Sequence, residues 1–127
     1  MKYLSTEDIL LIHFQLTEDY GGSHGVRDER SLFSVIAAPQ QSVFGQEQYN
    51  GVFEKAAVYA RIIISDHLFV DGNKRTGITC AALFMMQNGH LLNAMPKELE
   101  DFAVHIAVSK ADIPEIAAWF ESHTSSI

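Results

Sequence analysis

Two stretches that are apolar on nearly every helical face, joined by a short and densely polar connector, constrain this sequence most. Val52 to Ser65 carries Val52, Phe53, Ala56, Ala57, Val58, Tyr59, Ala60, Ile62, Ile63 and Ile64. Ile78 to Met86 is built the same way, and Asn88-Gly89 supplies a helix stop. A helix that is apolar all round has to be covered by other elements on several sides. These segments therefore predict the hub of an all-α domain with two buried central helices. Neither reads as a membrane span: the first contains Glu54, Lys55 and Arg61, and the second is far shorter than the roughly 20 residues a span needs.

The remaining helices follow from caps and periodicity. Ser5 reads as an N-cap with Asp8 three residues on, and Ile9, Ile12 and Leu16 recur at helical spacing to about Glu18. Gly21-Gly22-Ser23 and Gly25 then break the pattern. Asp28 caps a short helix through Leu32, Val35 and Ile36, which Pro39 ends. Residues 40–51 are polar with scattered aromatics and two glycines, which predicts a surface loop or a small β-hairpin. Pro96 precedes a helix from Lys97 to about Ala107, and Asp112 and Pro114 open another from Ile113 to about His123. No alternating run is long enough for a sheet. With 127 residues, the chain is read as one domain, 1–127.

Sixteen acidic residues against nine Lys and Arg give a formal charge of −7, which speaks against nucleic-acid binding. Cys80 is the single cysteine, so no disulfide framework exists. With no signal peptide in the first residues, the expected setting is the cytoplasm.

The connector, His67-Leu68-Phe69-Val70-Asp71-Gly72-Asn73-Lys74-Arg75-Thr76, is where chemistry concentrates. Gly72 allows a tight, positive-φ turn, and Asn73 is placed to cap the following helix. The first amides of that helix then have no partners and face outward with the positive end of the dipole, an anion site that Lys74 and Arg75 reinforce. Asp71 stands ahead of this cradle and suits a divalent cation such as Mg²⁺. His67, at the exit of the preceding helix, has the side chain best suited to general-base work. Phe69 should point inward as the anchor. Together these groups describe transfer of a phosphoryl or nucleotidyl group from a nucleoside triphosphate.

His67-x-Phe69-x-Asp71-Gly72-Asn73-Lys74-Arg75 resembles the signature of the Fic superfamily, and of its death-on-curing (Doc) branch in particular. The flanks Gly22-Ser23-His24-Gly25-Val26-Arg27-Asp28 and Glu54-Lys55-Ala56-Ala57 also resemble segments of that branch, so the likeness covers nearly the whole chain. The pattern departs at two positions. Lys74 stands where the superfamily has glycine, and Ile78 where it has a final arginine. The resemblance implies a Fic-like helical domain, with ATP bound in reverse and its γ-phosphate transferred rather than AMP. It implies a toxin that phosphorylates a protein hydroxyl, with the translation GTPase elongation factor Tu as target, arrests translation, and is neutralised by a small antitoxin. His67 would be the base and Asp71 the Mg²⁺ ligand, while Gly72, Asn73, Lys74 and Arg75 would hold the phosphates. Residues 40–51 match the family's flap in position. AMP transfer by a Fic-type adenylyltransferase and a non-catalytic nucleotide-binding module are the alternatives. No internal Ser/Thr-x-x-x-Glu-Gly/Asn run is found, which places inhibition in another chain.

Simpler roles are expected elsewhere. His13, His24, His90, His105 and His123 are scattered without metal-ligand spacing. Arg27-Asp28 reads as a cap and ion pair, Cys80 as inert packing, and Trp119 as packing.

Overall fold

Six helices and two very small sheets make up the computed structural model, which describes residues 1–127. The helices are α1 (Thr6–Tyr20), α2 (Glu29–Ala37), α3 (Gly51–Ser65), α4 (Asn73–Gln87), α5 (Pro96–Ser109) and α6 (Ile113–Ser122). The expected all-α architecture, with α3 and α4 at its centre, is what the chain adopts. On α3, Val52, the run Lys55–Ala60, Ile63 and Ile64 are buried; on α4, so are Thr76, Gly77, Ile78, Cys80, Ala81, Phe84 and Met85. The other helices pack around this pair through one apolar stripe each, such as Phe102, Ala103 and Ile106 on α5 and Ile116, Ala117 and Phe120 on α6. No helix is long and apolar enough to cross a membrane.

Local chemistry accounts for the helix starts. Ser5 accepts from the Asp8 amide at 3.1 Å while the Asp8 carboxylate accepts from the Ser5 amide at 2.8 Å, a complete capping box. Asp28 caps α2 through the Arg30 and Ser31 amides, and Asp112 caps α6 through that of Glu115. The start of α4 differs from expectation. Its N-cap is Gly72, at φ +76°, and Asn73 is the first helical residue, its side chain turned back toward the connector. The polar first turn of α4 has no apolar periodicity, so only the turn geometry marks where it begins.

The expected hairpin forms as β1 (Ser42–Val43) and β2 (Gln46–Glu47), turning through Phe44 and Gly45 at positive φ. A second antiparallel pair, β3 (His90–Leu92) with β4 (Thr124–Ser126), was not expected. Each strand is three residues long, and the partners lie more than thirty positions apart, so neither alternation nor a turn signal announces them.

Lys55 lies fully buried on α3, its ammonium donating to the Pro39 carbonyl at 2.8 Å and pairing with Glu47 at 3.3 Å. One hub-helix charge thus holds both ends of the hairpin segment, and this pairing is what makes its burial tolerable. Trp119 is packing as expected, stacked between Phe102 at 4.0 Å and His123 at 3.8 Å.

Gly77 lets α3 and α4 approach closely. A Cβ there would lie 2.6 Å from Ile64 Cγ1 and 3.3 Å from the Ala60 carbonyl, both belonging to buried residues. Gly77→Ala should lower stability by about 1–2 kcal/mol in denaturant titration, because overpacking outweighs the roughly 1 kcal/mol that alanine gains in helix propensity. Burial also pushes the Cys80 thiol well above its ordinary range. The thiol should resist alkylation in the native protein and react at once when the protein is unfolded, as mass spectrometry would report.

Candidate active site

The connector leaves α3 through a sharp reversal. Asp66 is the C-cap of α3, and His67 follows with φ +50°, a left-handed conformation unusual for a residue with a Cβ. That turn buries Leu68 and Phe69 in the core and leaves the His67 ring exposed, with no hydrogen bond from either nitrogen. The inward anchor expected at Phe69 is therefore present, 1% exposed.

A facing strip, residues 22–28, holds the backbone of this connector. Val26 and Phe69 form an antiparallel bridge. The Val70 amide donates to the Gly25 carbonyl at 3.0 Å, and the Arg27 and Asp28 amides both donate to Leu68 O, at 2.8 and 3.2 Å. Arg27 adds its guanidinium, donating to the carbonyls of His67 at 2.7 Å and Asp66 at 2.6 Å. Arg27 thus does more than the expected ion pair with Asp28, from which it stands 4.0 Å away. It caps the carbonyl end of α3 at the position of the candidate base.

Asn73 closes the other side. Its side-chain amide accepts from the Phe69 N–H and donates to the Phe69 carbonyl, both at 2.8 Å. It shapes the turn by fastening its far end rather than by capping α4. The first helical bond of α4 runs from the Thr76 amide to Gly72 O, so the amides of Asn73, Lys74 and Arg75 remain free at the positive end of the helix.

Asp71 is exposed, and its carboxylate is held by backbone: Oδ1 accepts from the Gly72 amide at 2.9 Å and Oδ2 from the Ser23 amide at 3.1 Å. Gly22 makes this approach possible, because a Cβ there would fall 2.7 Å from Asp71 Oδ2. Lys74 and Arg75 are exposed, and the Arg75 guanidinium lies 4.3 Å over the Tyr20 ring. Both border a cleft of about 590 Å³ between α1, α4 and α5, which also contains Ile78. Of the expected site residues, Lys74 and Arg75 line this cleft, whereas His67 and Asp71 lie on the connector outside its lining.

Residues 3–85 match the family described as Fic/DOC family. Over 119 residues, the chain is 34% identical to Toxin Doc of Mycolicibacterium smegmatis (strain ATCC 700084 / mc(2)155), covering 92% of this chain and 89% of that protein. It is 31% identical over 117 residues to Protein kinase doc of Escherichia phage P1, covering 92% and 91% respectively. The chain belongs to the Fic/DOC family. Within a Fic/DOC chain, the strip Gly22–Asp28 gains a physical meaning: it is the pairing partner of the signature loop.

Sequence spacing assigns His13 no partner. In the fold it is 3% exposed, its ring stacked on Phe69 at 3.7 Å and 1°, with Nε2 donating to the Asp71 carbonyl at 2.8 Å. No local pattern announces a contact spanning 58 positions; only its place on the buried face of α1, with Ile9 and Thr17, hints at it.

Asn73→Ala removes both bonds to Phe69 and leaves those partly buried backbone groups unpaired. The expected cost is about 1–3 kcal/mol in denaturant titration, with faster hydrogen exchange at the Phe69 amide than in the wild type.

Proposed function

We propose that this Fic/DOC protein is a toxin-type protein kinase that transfers the γ-phosphate of ATP to a hydroxyl group of a protein, with His67 as general base. The observation that carries the reading is a free, exposed His67 ring in the same connector that opens α4 with unpaired amides, with Lys74 where AMP-transferring members have glycine. A lysine there fills space needed for close backbone approach and adds a charge suited to a terminal phosphate. Ile78 also supports phosphoryl over nucleotidyl transfer, since the cleft holds an apolar side chain where an arginine would grip the triphosphate. The relative from phage P1 carries the name protein kinase, in keeping with this choice.

His67 takes the proton of the target hydroxyl as its oxygen attacks the γ-phosphorus. The β–γ bridging P–O bond breaks and ADP departs, while the α4 amides, Lys74 and Arg75 stabilise the transferring charge. The rest of the nucleotide has room in the cleft beside Tyr20. The donor set at Asp71 fits Mg²⁺: each carboxylate oxygen accepts a single amide bond and keeps a lone pair, and this ion needs only one or two carboxylates besides phosphate and water. When bound, Mg²⁺ would neutralise charge on the phosphates.

We further propose the translation GTPase elongation factor Tu as the target, a cytoplasmic setting, and a small antitoxin protein that masks the site. The flap at residues 40–51, with Phe44 fully exposed at its tip, would receive the target peptide.

Incubation of a cell extract with γ-labelled and, separately, α-labelled ATP tests the reaction. Label from the γ position alone is expected, and His67→Ala should lower it by about 10²–10⁴-fold while the circular dichroism spectrum is unchanged. Label from the α position would establish AMP transfer instead, and ATP binding without any labelled protein would overturn the kinase reading.

A further inference from the structure

We infer that His13 is a positioning residue: its Nε2–H locks the peptide plane between Asp71 and Gly72 and thereby aims the Asp71 carboxylate. This deepens the phosphotransfer reading and rests on it for its catalytic consequence. Three hydrogen bonds in series carry the argument. On the α1 side, His13 Nε2 donates to the Asp71 carbonyl at 2.8 Å, so that nitrogen bears the proton. The peptide is trans, so within its plane the Gly72 N–H points away from the Asp71 carbonyl. That N–H donates to Asp71 Oδ1 at 2.9 Å, and Oδ2 accepts from the Ser23 amide at 3.1 Å. The carboxylate is therefore held at one oxygen by this peptide and at the other by the strip, and a turned peptide would release the first.

Nothing intrinsic to the chain fixes this peptide. Gly72 sits at φ +76°, and glycine tolerates either sign of φ, so rotation of the 71–72 unit meets little steric resistance. A Cβ at Gly72 would only touch His13 Nε2, at 3.8 Å, so glycine is present for its backbone freedom rather than for space. If the plane turned over, the Gly72 N–H would leave the carboxylate, and a carbonyl oxygen would face the cradle that the α4 amides make for an anion. The imidazole opposes that rotation from a rigid seat. Its ring lies parallel to Phe69 at 3.7 Å, and the Thr17 hydroxyl donates to its backbone carbonyl at 2.8 Å.

The test separates donor from stack. His13→Phe keeps an aromatic face against Phe69 and removes the N–H; His13→Gln removes the ring and keeps a donor. ATP affinity is read by calorimetry in EDTA, which leaves the divalent ion out, and the Gly72 amide is followed by ¹⁵N NMR. The expected result is at least tenfold weaker ATP binding and a displaced Gly72 signal in His13→Phe, with His13→Gln within about threefold of the wild type. In labelled-phosphate assays, His13→Phe should lower kcat/KM for ATP while leaving KM for the protein target unchanged. Wild-type affinity in a folded His13→Phe protein overturns the inference, as does a His13→Gln protein no better than His13→Phe. If His13→Phe does not fold, ¹⁵N shifts of the wild-type ring decide: Nε2 must carry the proton, and a bare Nε2 ends the proposal. If the wild type transfers no phosphate, the kinase reading falls, while the Gly72 signal still reports on the His13 lock.

Discussion

The backbone pairing between residues 22–28 and the connector 66–71 is the constraint on which the rest of the structure depends. Joining two helices that are buried nearly all round brings a polar turn close to the core, where its N–H and C=O groups need partners. The strip supplies them through the Gly25 carbonyl and the Arg27 and Asp28 amides, with the Arg27 side chain on the carbonyls of Asp66 and His67. Because these bonds are made by backbone and by one arginine, the His67 and Lys74 side chains are not used up in holding the loop. The two glycines at 22 and 25, both at positive φ, let the strip run against the loop closely enough for Ser23 to reach Asp71.

Much of this is legible in the sequence. The all-round apolar character of α3 and α4 pointed to a helical hub, caps at Ser5, Asp28 and Asp112 marked three helix starts, and the alternation of Phe69 with polar residues marked the anchor. These are local signals, and local chemistry decided them. What escaped was non-local. The roles of His13 and Arg27 depend on partners 58 and 40 positions away, and β3 meets β4 across a similar gap. Asn73 shows the difference at short range: its side chain could cap α4 or turn back to Phe69, and only the left-handed geometry at Gly72 decided for the second.

Charge follows the same division. The chain is acidic overall at −7, yet Lys74 and Arg75 fall at the free amide end of α4, where helix dipole and side chains act in the same sense. Lys55, in contrast, spends its charge inside the protein on the Pro39 carbonyl and Glu47. Net charge therefore describes the surface that partners meet at a distance, whereas at the turn after α3 two acids, Asp66 and Asp71, stand beside two cations and the free amides of α4.

The backbone at His67 ties these strands together. A left-handed conformation costs a residue with a Cβ on the order of 1–2 kcal/mol, and such strain persists only where surrounding contacts over-determine it. Here they do: Arg27 grips the carbonyls on either side of the Asp66–His67 step, and the next two residues are sunk in the core. Had His67 continued α3 with ordinary helical angles, Leu68 and Phe69 would not enter the core directly after it, and the bridge from Phe69 to Val26 would be lost. The strained residue is therefore the one that lets a buried helix end and an exposed imidazole begin within a single position, and the loop's hydrogen bonds are what hold it there.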